Sequence, residues 1–352
     1  MSEKYSSPRV DFFISITRQY NSTIRFGQRP VLRMADDAVE FLDYEITDAD
    51  SYSAVLRGAA MVVSQLEPGP LRGHHMRVSL PGGEISWVET SLPLRGRGHL
   101  PPGVWTLSIV LRSASRSVQH GIEVRAGTLV VHRPIAEHDG IYGRDFSIVC
   151  LGLRVAVFEE LIQCQFPELA RLLREEWRVA EPDGAASREL VVQFEQAAVI
   201  LRSDERVRHS PAAKAVMQDE LLADFLYALA DATDPPPVPV LSSATALVRR
   251  AEELVQEADG LPLSVADLCN GCGVARRTLS HAFQQVLDMG PATYLRRLRL
   301  NDVRRALAHR QPGATPKNVT EIALDHGFWH TSRFSAQYRE LFGESPSETV
   351  RR

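Results

Sequence analysis

Leu268-Cys-Asn-Gly-Cys-Gly-Val274 followed by Leu279-Ser-His-Ala-Phe283, and Ile322-Ala-Leu-Asp-His-Gly-Phe328 followed by Phe334-Ser-Ala-Gln-Tyr338, are two copies of one pattern. The first blocks align at an offset of 54 residues and the second at 55. Each copy reads as a short apolar helix, a glycine-containing turn and a second, amphipathic helix. Leu279, Ala282, Phe283 and Val286 recur at i, i+3, i+4, i+7, and Phe334, Tyr338 and Leu341 at i, i+4, i+7, the period of a helix with one buried face. Ser264-Val-Ala-Asp267 is a capping-box signature at the start of the first copy. The pattern predicts two helix-turn-helix units, over 264–286 and 319–341, in which the second helix can lie in a DNA major groove.

The faces left over suit that use. With Leu279 and Phe283 turned inward, Arg276, Arg277, Ser280, His281 and Gln284 point out. With Phe334 and Tyr338 inward, Thr331, Ser332, Ser335, Ala336 and Arg339 do. Arginine and glutamine make paired hydrogen bonds to guanine and adenine edges, and hydroxyls reach several edges or a phosphate. Taken singly, each arginine reads more readily as a solvated helix surface; the ensemble, with no carboxylate on either face, favours DNA. Between the copies, Pro291 to His309 reads as a helix with proline in its first turn, about 28 Å long. One turn of B-DNA is about 34 Å, so such a strut would set two reading helices in successive major grooves.

The segments Leu263–Leu268, Ala275–Phe283, Pro291–Leu307, Asn318–Phe328, Arg333–Gly343 and Ser345-Pro346 stand in the order and spacing of the AraC/XylS transcription regulators, which residues 245–352 resemble. The resemblance implies an all-α, seven-helix DNA-binding domain in a bacterial regulator, usually an activator working beside RNA polymerase on promoter DNA. It carries base-reading roles to Arg277, Ser280 and His281, and to Thr331, Ser332 and Ala336. Ala336 stands where the family usually has arginine, which predicts weaker contact by the second unit. Gly290 replaces the usual serine before Pro291, the loop 309–319 is long, and Thr349 replaces a customary tyrosine, which predicts a fraying terminal helix.

The remainder fits a multidomain α+β plan. With 352 residues, 44% hydrophobic and 24% charged, the chain has the make-up of two or three globular domains. The polar start MSEKYSSPRV reads as neither secretory signal nor lipid anchor. No stretch approaches a membrane span, and four cysteines make no disulfide framework. A cytoplasmic protein is expected. Net charge is 0 over residues 1–151, -7 over 152–241 and +3 over 242–352, a basic tail suited to a polyanion. Val104 to Leu111 alternates with period 2, and Met76–Leu80, Ile85–Val88, Val118–Val124, Thr128–Val131 and Phe146–Leu151 read as further strands. They predict an N-terminal β-rich, cupin-like barrel over 10–153, matching the sensor that commonly precedes the DNA domain in this family. Residues 154–232 switch to helical period, broken near Pro167. These helices either pair between subunits of a homodimer or pack on the barrel. A Pro-rich linker over 233–243 leads to the DNA-binding domain at 244–352.

Trp87, Arg97, His99, Trp105 and Tyr142 are the candidate effector-binding residues, since apolar walls with a few polar groups suit a small ligand. The tryptophans read equally as plain core, and the arginine cluster (Arg95, Arg97) with His99 as a solvated turn. His74, His75, His99, His120, His132 and His138 lack the His-x-His and following Glu of metal-binding cupin enzymes, so no metal or cofactor is expected. Cys269-x-x-Cys272 lacks two further nearby ligands and reads as packing. No Walker loop, catalytic triad or nucleophilic-cysteine signature occurs. The sequence therefore predicts an effector-responsive regulator and not an enzyme. The alternatives are a ligand-independent regulator whose barrel only dimerises, and a cupin-type metal enzyme fused to a DNA module.

Overall fold

The computed structural model describes residues 40–53, 58–173, 178–232, 242–258, 260–308 and 318–351. Most of the expected linker, 233–241, lies outside them, as do the start of the predicted barrel and most of the long loop after Ala308. Among the described residues no helix is long and apolar enough to cross a membrane.

The β-rich part contains β1 (Phe41–Ile46), helix α1 (Ala49–Ser53), β2 (Ala60–Gln65), β3 (Gly73–Leu80), β4 (Gly83–Thr90), β5 (Leu94–His99), β6 (Val104–Arg112), β7 (Ser117–Gln119), β8 (Ile122–Val124), β9 (Leu129–His132), β10 (Glu137–Tyr142) and β11 (Phe146–Arg154). Helices α2 (Val155–Gln165) and α3 (Pro167–Leu172) follow, then β12 (Arg178–Ala180), α4 (Gly184–Ser203), α5 (Glu205–His209) and α6 (Pro211–Asp231). The strands form two antiparallel sheets, ordered β1-β3-β4-β11-β6-β9-β12 and β2-β5-β10-β7-β8. They do not close into the single barrel expected from the sequence. The run Val118–Val124 is not one strand but a hairpin, because His120 (φ 52°) and Gly121 (φ 82°) both take left-handed backbone, the requirement of a tight two-residue turn.

The large sheet is buried on both faces, with an unexpected polarity. Trp105, Leu107, Ile109 and Leu111 of β6, with Ile85 and Trp87 of β4, face outward under α2, α4 and α6 and pack with Phe158, Phe194 and Phe225. Trp87 donates its indole N–H to the Phe194 carbonyl at 3.1 Å. The alternate residues, among them Thr106, Ser108 and Cys150, turn towards the small sheet. The chain break expected near Pro167 is present: Phe166 separates α2 from α3.

After the linker come seven helices among the described residues: α7 (Ser243–Glu257), α8 (Val265–Cys272), α9 (Arg276–Leu287), α10 (Pro291–Ala308), α11 (Val319–Asp325), α12 (Thr331–Phe342) and α13 (Pro346–Arg351). The repeat governs their details. Ser264 and Asp267 form the expected capping box, and Asn318 and Glu321 form its counterpart. Gly273 (φ 65°) and Gly327 (φ 81°), related by the 54-residue offset, supply the left-handed turns. Asp288 and Gly343, related by 55, end the second helices in left-handed backbone. Pro291 and Pro346, again 55 apart, open the helices that follow. Two separate apolar clusters result, one around Leu268, Leu279 and Phe283 and one around Ile322, Phe334 and Tyr338. The terminal helix is anchored: Thr349 is buried, its hydroxyl donates to Glu344 at 2.6 Å and pairs with the Tyr338 hydroxyl at 2.8 Å. Thr349 thus ties the last helix to groups already inside, so it does not fray as expected.

The β-rich part and the helical part meet directly. Gln65, at the end of β2, and Asn301 on α10 exchange two hydrogen bonds at 2.9 and 3.2 Å. The Gln65 amide and the Gly69 backbone both donate to the Leu341 carbonyl at the end of α12. Arg95 on β5, buried, binds both oxygens of Glu252 on α7, also buried, at 2.9 and 2.7 Å.

Candidate nucleic-acid interface and an interior cavity

Helices α9 and α12 present the side chains named from the sequence. Arg276, Arg277, His281 and Gln284 are exposed on α9, with Ser280 half-buried beside them. Thr331, Ser332, Ser335, Ala336 and Arg339 are all exposed on α12. Leu279, Phe283, Phe334 and Tyr338 hold the opposite faces in the two clusters. Helix α9 has no carboxylate, although the Gln284 amide donates to Asp288 just past its end at 2.6 Å. The acid of α12, Glu340, sits in its last turn. Helix α10, 18 residues and so about 27 Å long, joins the two units. Trp329, 79% exposed, stacks on His330 at the start of α12, outside the apolar period that marks the helix.

The five effector candidates do not gather. Trp87 and Trp105 lie under the helices, on the face of the large sheet away from its partner sheet. Arg97 is buried against Glu252 and Glu137, and His99 is exposed at the end of β5. Tyr142 alone lines the cavity between the sheets, with Tyr52, Met61, Gln119, His132 and Cys150 among its neighbours. Its free room is about 30 Å³, space for one or two waters. Burial pushes the Cys150 thiol up to about 11, so it stays a neutral thiol at neutral pH. Cys269 and Cys272 are half-buried against the first apolar cluster.

The six histidines are not all scattered. His120, His132 and His138 are buried with ring nitrogens within 4.8 Å of one another. His120 Nε2 and His132 Nε2 are 2.8 Å apart, and His138 Nε2 lies 2.6 Å from the Tyr142 hydroxyl. Sequence spacing hides the cluster, because its members come from a hairpin turn and two strands in different sheets. His74 pairs with Asp43, and His75 Nδ1 meets the Tyr44 hydroxyl at 2.9 Å. Burial, with Arg77 and His74 beside it, pushes His75 down to about 4. A base whose folded value lies below its unfolded value of about 6.5 stabilises fully above that pH and progressively less as pH falls towards the folded value. The His75 contribution should fall by about 1–2 kcal/mol between about pH 7.5 and pH 5. Urea unfolding of the wild type and His75→Gln at both pH values checks this, and equal acid sensitivity of the two would contradict it.

Two helix-turn-helix units on one shared helix define a bipartite DNA-binding class. The family profile described as "Helix-turn-helix domain" matches residues 268–352. Similar proteins include the XylDLEGF operon transcriptional activator 1 of Pseudomonas putida, 34% identical over 113 residues, 32% of this chain and 34% of that one. The probable thc operon regulatory protein of Rhodococcus erythropolis is 36% identical over 105 residues, 30% and 31% of the two chains. A crystal structure of a transcriptional regulator with an AraC-type DNA-binding domain, from Chromobacterium violaceum, is 32% identical, covering 31% of this chain and 94% of that one, with a TM-score of 0.28. Through this last third the chain belongs to the AraC/XylS family. It spans about a third of the length of the curated relatives it matches.

Proposed function

We propose that the protein is a sequence-specific, DNA-binding transcription regulator, not an enzyme, in which residues 244–352 read promoter DNA. The observation that carries this is the pair of exposed polar faces at repeat-related positions on α9 and α12, each set by its own buried apolar core. Each helix carries two exposed arginines, Arg276 and Arg277 on α9 and Arg333 and Arg339 on α12. The reading extends to activation beside RNA polymerase in the bacterial cytoplasm, as in the relatives named as activators. Residues 40–153 act in it as a cupin-like sensor, with the cavity beside Tyr142 as its ligand site. Residues 154–232 serve as the dimerising segment. Val192 and Val199, exposed one heptad apart on α4, support that last assignment.

The test is binding of the purified protein to DNA upstream of its own gene against a scrambled duplex at about 150 mM salt. A specificity ratio above about 10³ is expected; a ratio near one on that DNA and on genomic fragments would contradict the reading. Arg277→Ala should cost about 1–3 kcal/mol of specific binding and relax preference at one base pair. Weakening that is uniform across sequences, with a shallower salt slope, would make Arg277 a phosphate contact instead.

A further inference from the structure

We propose that His120, His132 and His138 form a binding site for one divalent transition-metal ion of the imidazole-preferring class, such as zinc, with the Tyr142 hydroxyl or a water completing the shell. The site is distinct from the DNA-reading faces and independent of them.

Ring geometry carries the argument. Three imidazoles on one tetrahedral ion, with metal–nitrogen bonds of about 2.0–2.1 Å, place their ring centres about 5 Å apart. Here the three centre-to-centre distances are 4.9, 5.6 and 5.5 Å. The triangle already has the dimensions of a tris-imidazole site. The cavity that His132 and His138 line offers about 30 Å³, which fits an ion and a water.

The hydrogen bonding is unfinished in the way such a site requires. Nδ1 of His132 and Nδ1 of His138 are buried and have no hydrogen-bond partner among the described residues. A buried polar atom left so costs about 1–3 kcal/mol, and three neutral rings in mutual contact offer each other too few donors and acceptors to cancel it. A metal ion would take one nitrogen from each ring. Burial holds His120 at about 4 and His138 at about 3. The rings are therefore neutral, and ready to ligate, throughout the physiological range.

The backbone is arranged to deliver them. His120 occupies left-handed backbone in the β7–β8 turn, a conformation uncommon for residues other than glycine. Its N–H donates to the Asp139 carbonyl at 2.7 Å, which fixes the turn on the strand bearing His138. His132 comes from the opposite sheet, so an ion here would tie the two sheets together. The Asp139 carboxylate acts on both His120 and His138 and offsets part of the ion's charge. Arg95 donates to the same carboxylate at 2.5 Å and holds Glu252 of α7, so the site abuts the joint with the helical part.

The experiment titrates cobalt(II) into full-length, metal-stripped protein and follows visible absorption. One equivalent should give the intense bands of four-coordinate cobalt, and zinc should displace it. His120→Asn is the first variant, because asparagine tolerates the left-handed turn; His132→Gln is the second. Both should lose the bands, whereas His209→Gln, at an exposed histidine on α5, should keep them. In the wild type zinc should raise the thermal midpoint and magnesium, an oxygen-preferring ion, should not. The last comparison needs no variant and stands even if a substitution unfolds the protein. Bands that persist in His120→Asn and His132→Gln, or cobalt bound without them, would overturn the proposal and leave the cluster as polar packing.

Discussion

Glu252→Ala is expected to destabilise the protein by about 3–5 kcal/mol, the cost of removing one partner from a buried ion pair. Glu252 is 3% exposed and accepts from Arg95 at 2.9 and 2.7 Å, from Arg97 at 3.4 Å and from the Tyr294 hydroxyl. Alanine would strand the Arg95 guanidinium in the interior with Asp139 as its remaining carboxylate. It would also leave the Tyr294 hydroxyl without its acceptor. Because the groups are buried, added salt should change the loss little. Arg95→Met combined with Glu252→Leu should cost much less than Glu252→Ala alone, since it removes both charges together. Urea unfolding measures all three. A loss below about 1 kcal/mol for Glu252→Ala would mean that the joint between β5 and α7 does not form as described.

Phe334→Ala is expected to cost a similar 3–5 kcal/mol, but its effect should be confined to one unit. Phe334 is 2% exposed and packs against Phe328 and Tyr338, with ring centres 5.2 and 5.8 Å away. Its cluster shares no buried residue with the one around Phe283. Emptying it should loosen α11 to α13 while α8 and α9 keep their packing. On DNA the footprint should shrink to the first unit's major groove, and amide exchange should speed up over residues 319–351. Phe283→Ala should give the mirror result over residues 264–287. Loss of both halves of the footprint in either variant would show that the two units fold as one.

The helical part was legible because its repeat states the same instruction twice. Apolar spacing, turn glycines and capping residues recur at offsets of 54 and 55 and agree with one another. In the β-rich part each strand was read from its own alternation, which fixes that a strand exists but not which face meets which neighbour. Trp105, Leu107, Ile109 and Leu111 mark β6 correctly, yet the helices, not the partner sheet, cover them. The assumption that large apolar residues face a barrel interior therefore put Trp87 and Trp105 in the pocket. Arg95 and Arg97 looked like a solvated turn because Glu252, which pairs with them, lies over 150 positions away. The histidine cluster was illegible for the same reason, compounded by a turn at His120-Gly121 hidden inside an apolar run.

The polarity of the large sheet also separates two kinds of selection along single strands. On β6, odd-numbered Trp105, Leu107, Ile109 and Leu111 hold the fold through the helices, while Thr106 and Ser108 beside them line the cavity. Changes at the even positions alter what the cavity admits and leave the main apolar core untouched. Under the proposed sensor role, the ligand taken by the cavity could change through substitutions at every second residue while the packing beneath the helices stays the same.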